Sequence, residues 1–368
     1  MNLVGYVASC PVGWRLFMPA SWDPASAEAA VDVGLRRARA QVPDDVGHRE
    51  KWRLGLDMID EVIGWGLTPP VIVADAGYGD SGEFRHGLTE RGLSYVVRAA
   101  TTIGVQRQEA ARTAPPAAWT GRRPTLRYRN PATSVTDLIL SHAAAAAQSV
   151  SWRDGSRTRA GRPVTMRSRF VFLRVRPAGR ILLAAHRDQD LPEAWLIAEW
   201  PPERDEPTNY WLSNPPATTA KRTLIRWAKL RWRIEHDYRE LKTGLGLDHY
   251  EGRTWQGWHH HVTLVSAAHA FCTLQRLDPQ APAPDRRDRS SAPATGWPAH
   301  SACRHADVPK ARIRSIGDVQ GSNARSPRRG RRPSRHLPAH ACGVRWLGLG
   351  VRVTSAVSCV RNLQGRAP

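Results

Sequence analysis

Val71-Ile72-Val73-Ala74-Asp75-Ala76-Gly77-Tyr78-Gly79-Asp80 is the stretch that decides the fold. Val71 to Ala74 is an unbroken, largely β-branched apolar run bounded by Pro70 and Gly77, which suits a strand covered on both faces. Asp75 falls at its carboxyl end. Asp80 or Ser81 then caps a helix through Arg91, Gly92 stops it, and Leu93-Ser94-Tyr95-Val96-Val97 makes the next strand. A strand-helix-strand unit of this kind makes its strands parallel and predicts an α/β fold with covering helices.

Upstream, Glu50 to Gly64 spaces Trp52, Leu56, Ile59 and Ile63 as one helical face, and Gly64 with Pro69-Pro70 closes the helix. Val12 to Met18 alternates and stops at Pro19, which predicts an early strand. Downstream, from about Thr101 to Thr208, strand-like pieces (Arg169 to Val175, Arg180 to Ala185, Ala194 to Trp200) alternate with Gly, Pro and Arg-rich turns and read as a β-rich insertion. Asn209 to Ser213 is a further strand. After Pro215-Pro216, one long helix is expected from Thr218 or Thr219 through Lys242, and another from His259 to Leu277. The apolar face of that last helix is Val262, Val265, His269 or Ala270, Cys272 or Thr273, and Leu274.

The net charge of +21 points to a polyanionic partner, because Lys and Arg that neutralise phosphates release condensed counterions. Residues 279–368 carry 17 Lys or Arg against 4 Asp or Glu, with Trp297 and Trp346 as their only aromatics, so this quarter reads as a basic tail of low order. Its run Arg328-Arg329-Gly330-Arg331-Arg332 is either solvated or a nonspecific DNA contact. No apolar run of about 20 residues and no secretory signal is present, which argues against a membrane and for the cytoplasm. The five cysteines form no C-x-x-C pair, which argues against a zinc or disulfide framework.

Asp75 and Glu235, the latter in Arg231-Trp232-Arg233-Ile234-Glu235, are the two acids that fit a phosphodiester chemistry. Hydrolysis or transfer at phosphorus is slow because the nucleophile is weak and charge grows on the leaving oxygen. Two hard cations about 3.5–4 Å apart, held by carboxylates, address both problems. Taken alone, Asp75 reads as readily as a turn cap and Glu235 as a solvated ion-pair partner. The adjacent His259, His260 and His261 point in different directions on a helix and suit packing or phosphate contact better than a metal.

Ala74 to Asp80, with the helix and strand that follow through Arg98, resembles the second-aspartate segment of DDE transposases from bacterial insertion sequences, closest to the insertion sequence 701 group. Ala228 to Lys242, continuing through Gly246 to Arg253 and His259-His260-His261, is similar to that group's third-acid helix. Related enzymes carry Tyr, Arg, Glu and Lys there, spaced three, four and seven residues apart. That spacing falls on Ala228, Arg231, Glu235 and Lys242, all within one narrow helical face, with the Tyr replaced. The resemblance covers roughly residues 10–278.

It implies a ribonuclease-H-like mixed sheet with flanking helices: residues 1–104 as the first part of the core, 105–207 as the β-rich insertion, 208–278 as the second part, and 279–368 as a disordered basic tail. It implies Asp75 and Glu235 as catalytic ligands of Mg²⁺ or Mn²⁺, with Arg231 and Lys242 on DNA phosphates. The partner is double-stranded DNA at terminal inverted repeats, bound by a homodimer in the nucleoid of a bacterium. Two departures stand beside it. The family's first catalytic Asp lies on a strand upstream of the one expected at Val12 to Met18, so the chain reads as an incomplete copy with reduced or no activity. The tail has a composition the family lacks, which suggests an altered reading frame. The alternative is a catalytically inactive, DNA-binding remnant. A paired-carboxylate hydrolase acting on sugars is disfavoured by the charge.

Overall fold

Among the residues described by the computed structural model (1–113, 126–142, 144–157, 163–278, 344–345, 352–353 and 357–360), eleven strands form one mixed sheet. In chain order they are β1 (Asn2–Val4), β2 (Ser9–Pro11), β3 (Val71–Ala74), β4 (Tyr95–Arg98), β5 (Gly104–Arg107), β6 (Thr133–Ser134), β7 (Gln148–Arg157), β8 (Pro163–Pro177), β9 (Ala194–Glu199), β10 (Asn209–Ser213) and β11 (Val357–Val360). Their order across the sheet is β2-β1-β11-β3-β4-β10-β9-β8-β5-β6, and β7 pairs with β8. The β3–β4 pair is parallel, as the strand-helix-strand unit predicts, with Ile72 opposite Tyr95 and Ala74 opposite Val97. β1 and β11 are also parallel, and the remaining pairs are antiparallel.

The helices are α1 (Val33–Ala40), α2 (Lys51–Gly64), α3 (Ala76–Gly79), α4 (Gly82–Glu90), α5 (Val135–Leu140), α6 (Arg180–Ala185), α7 (Lys221–Lys229), α8 (Arg231–Thr243) and α9 (Trp255–Leu277). The apolar run of β3 is continuous because both its faces are covered. Ile72 and Ala74 pack with Leu56, Ile59 and Val62 of α2 and with Phe84 and Leu88 of α4. Val71 and Val73 pack on the opposite face with Leu224 and Ile225 of α7 and with Leu230 and Ile234. Burying an aliphatic side chain of this size is worth about 1.5–3 kcal/mol, so neither face of β3 tolerates a polar residue. The cap of α4 is the expected one: Ser81 Oγ accepts from the Phe84 amide at 3.0 Å, and Gly92 at φ +66° ends the helix.

Four expectations are corrected. Val12 to Met18 is not a strand, since the early strands are β1 and β2 and residues 12–19 run without regular structure. Other contacts fix it: Trp14 Nε1 donates to Ser266 Oγ of α9 at 2.7 Å, and the Met18 backbone carbonyl lies 2.8 Å from His48 Nδ1. Arg180 to Ala185 is the helix α6, consistent with its Arg, Leu and Ala content. The long helix expected to Lys242 breaks at Leu230, whose amide reaches back only three residues to Trp227 and whose carbonyl is taken by Arg233, so α7 and α8 meet at a tight turn. In the tail, Val357–Val360 is a strand between β1 and β3, with Val344–Arg345 and Arg352–Val353 paired separately. The rest of the tail lies outside the described residues, including Arg328 to Arg332.

The strands expected at Arg169 to Val175 and Ala194 to Trp200 are present as β8 and β9. They extend the core sheet through the β9–β10 pair instead of forming a layer of their own. By compactness the chain divides into Met1–Ala281 with Val344–Pro368, and Pro282–Gly343, the latter outside the described residues. Among the described residues no helix is long and apolar enough to cross a membrane.

Candidate active site

Asp75 leaves β3 in extended conformation and opens the one-turn helix α3. Its side chain makes no capping bond, and its Oδ1 is buried without a hydrogen-bond partner. That is an unusual place for a carboxylate oxygen, since buried acceptors are nearly always paired. Burial pushes the Asp75 carboxyl above its ordinary range, and the charge of Arg231, the amides of Tyr78 and Gly77 and the charge of Lys51 only partly oppose it. The tight seat of α3 depends on Gly79, where any Cβ would collide with the Arg98 carbonyl oxygen of β4.

The second candidate acid lies on α8. Glu235 is exposed, with 67% of its side chain accessible, and its Oε1 lies 3.2 Å from Arg231 Nη2 one turn earlier. Tyr238 is pushed well above the usual phenol range by burial, with Tyr78 and Asp75 adding to the shift. Arg231 lowers the Asp75 carboxyl and Asp75 in turn raises Tyr238, so these two residues, seven apart on one face of α8, lie within electrostatic reach of Asp75. The arrangement is a carboxylate at the end of a parallel strand within electrostatic reach of the Arg231 guanidinium, which itself pairs with Glu235. Lys242 is half-buried in the last turn of α8. Ala228 is not part of this helix: it is buried on α7, so the four-residue face inferred from spacing reduces to Arg231, Glu235 and Lys242.

The donors suit a hard divalent cation in one respect. Asp75 Oδ1 is an anionic oxygen without a donor, which is what an oxygen-seeking ion replaces at least cost. Among the described residues no group of three His, Cys, Asp or Glu side chains is disposed to hold a metal. The three consecutive histidines diverge: His259 Nδ1 lies 2.9 Å from the Trp255 carbonyl, His261 Nε2 lies 3.2 Å from the Gly246 carbonyl, and His260 is exposed.

Sequence reasoning missed a second charged cluster on the same helix. Asp237, 3% exposed, accepts from Ser9 Oγ at 2.7 Å and from Asn2 Nδ2 at 3.5 Å, tying α8 to β1 and β2. His269 of α9, 2% exposed, has Nε2 at 3.5 Å from Glu240 Oε2 and 3.9 Å from Asp237 Oδ1. Burial alone disfavours the imidazolium, but Cys10, Glu240 and Asp237 around it outweigh burial and push the ring up to about 9. Glu240, facing His269 and also 3.0 Å from Arg276, is held down at about 2. The polar residue placed on the apolar face of α9 was the available signal; its partners, some 30 residues away on another helix, were not.

Residues 1–159 match the family model described as DDE superfamily endonuclease. The matched segment spans somewhat under half of the chain, includes Asp75 and ends before Glu235. It supports a relationship to DDE transposase-type nucleases, for which DNA is the substrate and divalent cations are the usual cofactor. No curated protein matches the chain.

Proposed function

We propose that this chain is a DDE-type transposase that cuts and joins DNA strands at the ends of an insertion sequence, with Asp75 and Glu235 as the cation-binding carboxylates. The observation that carries the reading is the orphaned Asp75 Oδ1, in a segment similar to DDE endonucleases, within electrostatic reach of the Arg231 that pairs with Glu235. Residues 1–104 and 208–278 are then two parts of one catalytic core around the strand-rich 105–207. Mg²⁺ or Mn²⁺, when bound, supplies charge neutralisation at phosphorus and activation of the attacking oxygen. The chain's own contribution is placement: β3 fixes Asp75, α8 presents Glu235, and Arg231 and Lys242 hold flanking phosphates of duplex DNA. Terminal inverted repeats would be paired by two copies of the chain on chromosomal DNA.

One observation favours the second reading, a DNA-binding protein with reduced or no catalytic activity. Arg231 already pairs with Glu235 and acts on Asp75, so an internal cation serves the acid pair, and these two residues account for only two of the three acids that the resemblance calls for. A labelled duplex carrying the terminal repeat, incubated with the full chain and Mg²⁺ or Mn²⁺, separates the two. Metal-dependent nicking that disappears in Asp75→Ala and Glu235→Ala supports the transposase. Salt-sensitive binding without nicking supports the inactive DNA binder, and nicking that survives both substitutions defeats the assignment of these acids.

A further inference from the structure

Lys229 is the last residue of α7 and lies two residues before Arg231. Its ammonium is directed toward the sheet. It sits 4.9, 5.5 and 5.7 Å from the ring centroids of Trp152, Trp211 and Phe170, on β7, β10 and β8. Beyond the rings it meets both oxygens of Glu199 on β9, at 2.7 and 2.6 Å. The pair is largely enclosed, with 22% of the Lys229 side chain and 8% of the Glu199 side chain accessible. An ammonium inside three aromatic faces and against a carboxylate has few other positions open to it, so the end of α7 is pinned to the sheet at one point.

The connections do not stop at Glu199. Its Oε2 accepts from Asn209 Nδ2 of β10 at 2.8 Å, and Asn209 Oδ1 accepts from the Arg98 guanidinium of β4. The Arg98 backbone carbonyl is the group against which Gly79 of α3 is seated. A chain of contacts therefore runs from the α7–α8 junction, through Glu199 and Asn209, to the strand residue that backs the turn opened by Asp75. The two acid-bearing elements are referred to the same residue of β4.

We propose that Lys229 and Glu199 are positioning residues that keep the Glu235 helix and the Asp75 turn in a common register for cation binding. This rests on reading Asp75 and Glu235 as cation ligands, and the test separates the two claims. In the full-length chain with Cys10, Cys272, Cys303, Cys342 and Cys359 changed to Ser, nitroxide labels at Glu90→Cys of α4 and Arg239→Cys of α8 report the distance between the elements by double electron–electron resonance without any added divalent ion. One narrow distance is expected in the parent and in Lys229→Arg, and a shifted or broadened distribution in Lys229→Met and Glu199→Gln. An unchanged distribution in both neutral variants overturns the proposal. Glu199→Gln, which keeps the shape and the acceptor for Asn209, carries the measurement if Lys229→Met does not fold by circular dichroism. In parallel, Mn²⁺ titration followed by electron paramagnetic resonance should show affinity weakened about tenfold or more in Lys229→Met and restored in Lys229→Arg. A parent chain whose Mn²⁺ binding is absent, or indifferent to Asp75→Ala and Glu235→Ala, defeats the cation-ligand reading, whereas the distance result decides the positioning claim.

Discussion

At the scale of single residues, Asp75 combines two demands that conflict in the cation-free protein. Its carboxylate is buried with one oxygen unpaired, and burial raises its pKa above the ordinary 3.8. A folded-state pKa raised above the unfolded value means that the native state binds the proton more tightly, so stability falls as pH rises through that range and is lowest once the group is ionised. Asp75→Asn should therefore stabilise the protein at pH 7 by about 1–3 kcal/mol in a chelator, with the gain disappearing below about pH 3.8. Urea unfolding at the two pH values measures this, and a destabilised Asn variant at pH 7 would refute the account of Asp75. The position of Asp75 at the end of a covered strand was legible in the sequence, because the apolar run and its Pro and Gly bounds are local. Its missing hydrogen bond was not, because that depends on which distant groups pack around it.

At the scale of elements, α8 is held by more than its packing face. Its outer turns carry Asp237 and Glu240 to a buried imidazolium on α9, and this contact has a defined pH window. The His269 pKa of about 9 lies above its ordinary 6.5, so the stability it contributes is complete below pH 6.5 and is lost as pH rises through 9. The shift corresponds to on the order of 3 kcal/mol. Chemical denaturation from pH 6 to 10 should show this loss, and His269→Gln should be less stable at pH 6 but nearly flat over the same interval. A variant with the parent's pH slope would exclude His269 as the source. Helix periodicity located α8 and α9, yet it ran α7 and α8 together, because the turn at Leu230 keeps a helical backbone conformation, φ −61° and ψ −21°, and leaves no Gly or Pro in the sequence to mark it.

At the scale of the whole molecule, under the proposed function the charge of +21 sets how the protein meets DNA. Each phosphate contact contributes about one counterion to the salt dependence of binding. Arg231→Ala and Lys242→Ala should each lower the magnitude of the slope of log K against log salt by about 1, whatever the DNA sequence. Slopes equal to that of the parent in both variants, measured by fluorescence anisotropy over a range of KCl, would remove these residues from the interface. The sequence by itself determined the parallel β3–β4 unit and the covering helices α2 and α4, and it supplied the expectation of a polyanionic partner and the four proposed residues Asp75, Arg231, Glu235 and Lys242. The elements follow from local hydrophobic period and capping and the partner from charge, while the four residues rest on the resemblance to DDE transposases. Only the tertiary structure decided that Arg231 both pairs with Glu235 and acts on Asp75, that Lys229 is enclosed by residues of β7, β8, β9 and β10, and that Val357–Val360 enters the sheet between β1 and β3. These depend on backbone hydrogen bonds and buried charges between segments tens to hundreds of residues apart, and no periodicity within one segment records which distant partner will satisfy it.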